Sequence, residues 1–145
     1  MLTHKLYLDP FMDMYNGEII SYGISKTPIM EALNNAIKLT ASCQYRRTFH
    51  SDQGCTYQMK SYTNKLKEEG IFQNMSRKGN CHDNSVMENF FGLLKHEIYY
   101  GKTYYSYGEL KQAIENYIKY YNERRIKERL GCLSPIQYRL RHSVA

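Results

Sequence analysis

The sequence contains no tryptophan, no closely spaced pair of cysteines, and no internal repeat or low-complexity segment. A structural zinc site needs closely spaced ligand pairs, so the four scattered cysteines argue against one and favour reduced thiols. No apolar run approaches the length that spans a bilayer, and the beginning of the chain shows no signal-peptide pattern. These absences predict a soluble, intracellular protein without a membrane partner.

Positive charge is in excess, with 20 Lys and Arg against 14 Asp and Glu and a net charge of +6. The excess is concentrated from Lys119 onward, where seven basic residues stand against Glu123 and Glu128, a net charge of +5. Such an excess is typical of proteins that bind nucleic acid, although a solvated helix face gives the same pattern. From charge alone, both interpretations stay open.

Strand and helix patterns alternate along the 145 residues, which predicts one α/β domain around a mixed sheet. Two strands, 5–14 and 19–25, are joined at Asn16-Gly17, a pair that supplies the positive φ angles of a tight hairpin. Thr27 is predicted to cap the first helix, with Pro28 at its first position. The remaining elements are predicted as helices over 57–69, 85–99, 106–125 and from 134 onward, and strands over 47–51 and 71–75.

Apolar spacing predicts which helix faces are buried. In helix 57–69 the core face carries Met59, Tyr62 and Leu66. The predicted core positions of the two longest helices are Met87, Phe91, Leu94 and Ile98, and then Leu110, Ile114, Tyr117 and Tyr121.

Asp52 directly follows the predicted strand 47–51 and precedes Gly54. A carboxylate at the C-terminal end of a strand faces the crevice where open α/β sheets bind ligands. An aspartate two residues before a glycine is equally typical of a turn in which the side chain bonds its own backbone. The local sequence leaves both roles open.

A second carboxylate, Glu88, shares a helix face with Gly92 and Lys95. That row suits a metal ion beside a phosphate chain, because the carboxylate can hold the ion and the lysine can pair with a phosphate oxygen. The alternative is a capping box, in which Ser85 caps the helix and Glu88 bonds back to the backbone. Asp83 and Asn84 fit cap or loop roles better than ligand roles, and Lys95 could pair with an acid in solvent.

Several motifs together resemble the integrase core of transposases of the third bacterial insertion-sequence family, which are related to retroviral integrases. That family carries an Asp, a second Asp, 35 residues and a Glu, with a basic residue seven positions beyond the Glu. Asp52, Glu88 and Lys95 match the last three of these positions. The resembling segments are Phe49-His50-Ser51-Asp52-Gln53-Gly54, Ser76-Arg77-Lys78-Gly79-Asn80-Cys81-His82-Asp83-Asn84, Glu88-Asn89-Phe90-Phe91, Leu94-Lys95-x-Glu97, Tyr121-Asn122-x-x-Arg125, Leu130 and Leu133-Ser134-Pro135-x-x-Tyr138.

The resemblance implies an RNase H-like fold in which three carboxylates hold two Mg²⁺ or Mn²⁺ ions and DNA strands are cut and joined. Asp52 and Glu88 are the implied metal ligands and catalytic residues. DNA, as transposon ends and target, is the implied partner, together with another copy of the chain or a full-length transposase, in the cytoplasm at the nucleoid. The candidate DNA contacts are Lys95, Lys78, Arg77, Asn84, Arg124 and Arg125.

The resemblance also departs from the family pattern at the front of the chain. In the family, the first Asp precedes the stretch that resembles Lys5-Leu6-Tyr7-Leu8, so this chain starts too late to include it. Asp9 and Asp13 lie on the next strand and are not assigned to the site. We therefore expect a truncated catalytic core over 1–126, with 127–145 as a basic tail of the same domain, a sheet that lacks its first central strand, and no activity of the chain alone.

Two other functions remain open from the sequence. A non-catalytic fragment could bind DNA through the basic tail or interfere with full-length transposase in a dead complex. A different RNase H-like nuclease is disfavoured by the 35-residue spacing, by the position of Lys95 and by the tail motifs.

Overall fold

The computed structural model describes residues 6–25, 30–77 and 84–143. The predicted cap Thr27 and first position Pro28, and the loop residues Lys78 and Asp83, lie outside these ranges. In order, the elements are β1 (Tyr7–Met12), β2 (Ile19–Ser25), α1 (Met30–Leu39), β3 (Thr48–Ser51), a 3-10 turn (Cys55–Gln58), α2 (Lys60–Glu68), β4 (Phe72–Met75), α3 (Ser85–Leu94), a π-helical turn (Lys95–Tyr99), α4 (Tyr107–Glu123), a second 3-10 turn (Glu128–Leu130) and α5 (Pro135–His142). Within the described residues, no helix is long and apolar enough to cross a membrane.

The strands pair two by two. β1 pairs with β2, and β3 runs parallel to β4 with Thr48 opposite Phe72 and Ser51 opposite Met75. Because only a short turn connects β1 to β2, these two strands are antiparallel. The described residues therefore contain both kinds of pairing that a mixed sheet requires, divided between two two-stranded sheets.

The described residues form two compact units, which we name the central unit (6–11, 21–25, 30–77 and 84–85) and the carboxyl-terminal unit (12–20 and 86–143). The core of the central unit is formed by five buried residues, Leu33, Ile37, Tyr62, Leu66 and Ile71. The prediction that Met59 belongs to this core is wrong, since its side chain is 53% exposed. Met59 has an extended backbone, with ψ of 137°, that separates the first 3-10 turn from α2.

Phe90 is the centre of the carboxyl-terminal core, with no exposed surface. Its ring meets the ring of Tyr121 on α4 edge to face, with centroids 5.0 Å apart, and lies 6.3 Å from that of Tyr117. The predicted face of α3 had Phe91 at this place, but Phe91 is only half-buried. The apolar arc of α3 is broader than one face, so spacing alone does not identify its centre.

The turn between β1 and β2 is longer than the predicted tight turn. Gly17 has a φ of +73°, whereas Asn16 keeps a negative φ, so the prediction of positive angles holds for the glycine alone. Asn16 is buried: its Oδ1 accepts a hydrogen bond from the Glu18 backbone N–H, and its Nδ2 donates one to the Pro135 carbonyl at 3.1 Å. The turn is therefore built on the C-terminal segment of its own unit.

Two further contacts join this turn to the C-terminal segment. The Asn122 side chain accepts a hydrogen bond from the backbone N–H of Ile19 and donates one to its carbonyl, each at 2.9 Å. Arg139 on α5 pairs with both carboxylate oxygens of Glu18, at 2.7 and 3.2 Å. α5 itself begins with the predicted Ser134 cap, completed as a capping box by Gln137.

We expect Asn122→Ala to lower the free energy of unfolding by about 2 kcal/mol, because both backbone groups of Ile19 lose their partner. Urea denaturation followed by circular dichroism measures the change. Asn116→Ala is the matched control: Asn116 is exposed on the same helix and bonds only Gln112 among the described residues. Its loss should stay within about 0.5 kcal/mol. Equal losses in the two variants would show that the Ile19 bonds contribute nothing specific.

Candidate active site

Asp52 directly follows β3, and its side chain is exposed. Its Oδ1 accepts a hydrogen bond from the backbone N–H of Gly54 at 2.8 Å, so the turn role is present. A Cβ atom added to Gly54 would lie 2.9 Å from the same Oδ1, too close for ordinary packing. Gly54 therefore leaves room for the carboxylate, and the bond holds Asp52 through one oxygen while leaving Oδ2 outside it.

Ser76, directly after β4, ties the ends of the two parallel strands together. Its backbone N–H donates to the Ser51 carbonyl at 2.9 Å and its carbonyl accepts from the Gln53 side chain at 3.0 Å. Its hydroxyl lies 3.2 Å from His50 Nε2 and 3.2 Å from the Ser51 carbonyl oxygen. Because residues on both sides of Asp52 are bonded to this one buried serine, the backbone that carries the carboxylate is fixed.

Sequence reasoning missed the positioning roles of Ser76 and Gln53. Both residues were visible as members of the matched motifs, but a bond across 23 residues leaves no local pattern. The signal that could have found them is the concentration of polar side chains at the ends of two adjacent parallel strands.

Asp9 on β1 adds negative charge to the central unit. Its Oδ2 is buried without a hydrogen-bond partner in the described part of the chain, and burial raises the pKa of this carboxyl. The pKa of the Tyr57 phenol is raised to about 12, first by burial and then by the charges of Asp9 and Asp52. The negative charges of Asp9 and Asp52 therefore both disfavour ionisation of the Tyr57 phenol.

Glu88 lies in the first turn of α3, where the helix dipole favours a carboxylate. α3 begins at Ser85, so Ser85 occupies the first helical position and not the predicted cap position. Glu88, Gly92 and Lys95 are all exposed on one side of the helix, and a Cβ added to Gly92 would meet nothing within 4 Å. The shared helix face predicted from the spacing of these three residues is thus present and accessible.

Lys95 also begins the π-helical turn, which the Tyr100 N–H closes by bonding the Lys95 carbonyl at 2.8 Å. π-helical turns are rare and occur frequently at functional sites. The turn therefore begins at Lys95, the last residue of the row that also contains Glu88 and Gly92.

The remaining candidate DNA contacts differ in their surroundings. Arg124 is exposed at the end of α4, whereas Arg125 is half-buried and forms an ion pair with Glu97. Arg77 is exposed and Asn84 is half-buried, and both belong with Asp52 to the central unit. The other described candidates, Glu88, Lys95, Arg124 and Arg125, belong to the carboxyl-terminal unit.

The chemistry of the two candidate carboxylates, taken one by one, agrees with Mg²⁺. Asp52 and Glu88 offer exposed carboxylate oxygens, the ligands that this ion prefers. Among residues 6–25, 30–77 and 84–143, no group of three or more His, Cys, Asp or Glu side chains is placed to hold a metal ion.

The fold is RNase H-like, the class formed by integrase catalytic cores. The magnesium-bound catalytic core of the HTLV-2 integrase superimposes with a TM-score of 0.67 at 12% identity, over 95% of this chain and 87% of that one. The simian T-cell lymphotropic virus intasome, solved with a PP2A regulatory subunit, gives a TM-score of 0.68 at 16% identity, over 94% of this chain and 48% of that one. The predicted fold class is confirmed.

The chain belongs to the integrase core domain family, whose models match residues 2–81 and 88–142.

It is 48% identical to the protein InsK of insertion sequence element IS150 from Escherichia coli over 138 residues, 93% of this chain and 49% of that protein. A transposase-like protein from Haemophilus influenzae is 47% identical over 93% of this chain and 63% of its own length. The transposase InsF of insertion sequence IS3A from Escherichia coli is 30% identical over 92% of this chain and 48% of its own length. The chain therefore spans about half to two thirds of these relatives, and the resemblance to insertion-sequence transposases is confirmed.

We expect Gly92→Ala to raise the free energy of unfolding by about 1 kcal/mol, because alanine favours a helix interior and the site has room for the methyl group. Gly70→Ala is the matched control. Gly70 also has open space, but its φ of +63° strains any other residue, so about 1 kcal/mol should be lost. Thermal and urea denaturation measure both changes. A destabilised Gly92→Ala variant would show that this face of α3 is not open.

Proposed function

We propose that this chain forms part of the catalytic core of a DNA transposase, in which Asp52 and Glu88 serve as carboxylate ligands of Mg²⁺ or Mn²⁺. The observation that carries the proposal is the placement of two exposed carboxylates on rigid supports, one fixed at the end of a parallel strand pair and one in the first turn of α3. The family membership and the fold support the same reaction class.

Each support performs a definable task in that reaction. Ser76 and Gly54 hold Asp52 in place while leaving one carboxylate oxygen out of the turn bond. Lys95, two helical turns beyond Glu88, would neutralise a phosphate oxygen of the DNA, and the bare surface of Gly92 would let the strand approach the helix closely. Divalent ions held by these carboxylates would supply activation of the attacking oxygen and stabilisation of the leaving oxygen.

We propose that these 145 residues supply two of the three carboxylates in the family pattern and do not join DNA strands on their own. The assay combines the chain with transposon-end duplex DNA and Mg²⁺ or Mn²⁺ and looks for joined products on a sequencing gel. Efficient joining would mean that another carboxylate of the chain completes the site, and Asp9 would be the first to test, since its Oδ2 has no partner among the described residues.

Glu88→Gln should separate metal binding from any structural role of Glu88 in the first turn of α3. We expect it to lower strand joining by at least about 1,000-fold while changing stability by less than about 0.5 kcal/mol, since glutamine has nearly the size and helix propensity of glutamate but is a poor metal ligand. The test uses a fusion of this chain to the part of the InsK relative that it does not match. Glu123→Gln, exposed on α4, is the matched control and should retain activity. Full activity of the Glu88→Gln fusion would remove Glu88 from the site.

A second candidate function is DNA binding without catalysis, including interference with full-length transposase. The exposed basic residues of the carboxyl-terminal unit favour it, among them Lys119, Arg124, Arg129 and Arg141. Assembly with DNA and with further transposase copies would place the protein at the bacterial nucleoid.

Binding of the isolated chain to duplex DNA should weaken steeply with salt, because each neutralised phosphate releases a counterion. For about four phosphate contacts, the logarithm of the association constant should fall with the logarithm of salt concentration at a slope of about −3.6. Fluorescence anisotropy between 50 and 200 mM salt, roughly the range over which such proteins lose affinity, measures the slope. Binding that ignores salt, or no binding at low salt, would contradict this function.

A further inference from the structure

Two basic side chains cover Gly17 in the turn between β1 and β2. An ideal Cβ at Gly17 would lie 2.6 Å from Lys127 Nζ and 3.1 Å from Arg129 Nη2, so both cationic groups meet over the same glycine. Any side chain at this position would occupy the space that the two cations use. The arrangement therefore depends on a residue that has no Cβ and that tolerates a φ of +73°.

The Lys127 ammonium is fixed in place. Its Nζ donates to the Tyr121 hydroxyl at 2.6 Å, lies 3.4 Å from the Gly17 carbonyl oxygen, and sits 4.3 Å from the centroid of the Tyr121 ring. An ammonium group carries three N–H donors, so these contacts leave one donor available. Arg129 is exposed, and its guanidinium carries a planar set of donors suited to two oxygens of one phosphate.

The charges of this pair are not balanced within the part of the chain that the structure describes. Arg125 is paired with Glu97 and Arg139 with Glu18, but no described carboxylate forms an ion pair with Lys127 or Arg129. Burial, and then the charges of Arg129 and Arg125, lower the pKa of Lys127 to about 8. Like charges held together cost free energy, and a bound anion would offset that cost.

We propose that Lys127 and Arg129, arranged over Gly17, form a phosphate-binding site that takes a backbone phosphate of bound DNA. The site rests on the proposed DNA-binding function and names a contact that sequence reasoning did not. A phosphodiester is the favoured source because it presents two anionic oxygens to a fixed ammonium and a fork-shaped guanidinium. Free inorganic phosphate offers the same chemistry and is distinguished by experiment.

The first experiment measures duplex DNA binding of the full 145-residue chain by fluorescence anisotropy at several salt concentrations. Arg129→Gln should lower affinity about fivefold at low salt and reduce the salt slope by about 1, the loss of one phosphate contact. Lys67→Gln, which removes one exposed charge from α2 of the central unit, is the matched control and should change affinity less than twofold. Equal effects of the two variants would overturn the site while leaving DNA binding intact.

The second experiment follows the Lys127 side chain directly by NMR in lysine-labelled protein. Saturating duplex DNA should raise the pKa of Lys127 by about one unit, since an adjacent anion favours the charged amine. Millimolar inorganic phosphate should produce a smaller shift in the same direction.

The outcomes separate the site from the function on which it rests. A shift with phosphate but not with DNA would overturn DNA as the source, and no shift with either would overturn the site. If the wild-type chain bound no DNA at low salt, both the proposed DNA-binding function and the site that rests on it would be rejected. Normal DNA binding with an unchanged Lys127 would reject this site alone.

Discussion

The carboxyl-terminal unit depends on the pairing between the side chain of Asn122 and the backbone of Ile19. The Asn122 carboxamide bonds both the N–H and the carbonyl of Ile19, as a neighbouring strand would. Ile19 is buried and lies more than a hundred positions away in the sequence. The same α4 helix carries Tyr117 and Tyr121, against which Phe90 of α3 packs. The placement of the helix that presents Glu88 therefore rests on α4, whose C-terminal end the Asn122 pairing holds.

The Glu18–Arg139 ion pair strengthens the same junction at a cost. Glu18 is buried, so removal of Arg139 would leave a desolvated charge whose remaining partner among the described residues is the Asn16 amide, at 3.2 Å, a change that costs more than the pair itself contributes. This explains in physical terms why the turn residues 16–18 and the segment around Pro135 belong together. Within the C-terminal motif that resembles the family, Asn122 and Pro135 contact the hairpin turn or the strand that follows it.

Local patterns predicted most of the helices and strands, and they failed where distant residues decide the outcome. Ser134 and Pro135 start α5 as predicted, because capping is chemistry within one turn of helix. Asn16 was predicted only as a turn residue, since its bond to Pro135 spans 119 positions and leaves no local signal. Phe90 was missed because α3 offers more apolar residues than one face can bury, and the partner helix decides which of them is central.

The candidate residues Asp52 and Glu88 stay a prediction from motif spacing, and the structure adds their environment. The spacing gave no information about Ser76, which holds the backbone around Asp52, or about the Asp9 oxygen that has no partner among the described residues. The sequence had suggested two alternative roles for Asp52, in a turn and in ligand binding. Asp52 forms the predicted turn bond through Oδ1 while Oδ2 stays outside it, so a turn-forming aspartate and a metal ligand are compatible roles for one residue.

The net charge of the C-terminal segment describes its surface poorly. Arg125 and Arg139 contribute to the sequence total of +5, yet each is engaged by a carboxylate of its own unit, and in that state neither has its full charge available to a phosphate. Lys127 and Arg129 differ because no described carboxylate pairs with them and because they are held over the same glycine. Under the proposed DNA-binding function, affinity should therefore follow the cations without a described carboxylate partner and not the sum of charges, since a phosphate gains little from an arginine whose charge is already neutralised.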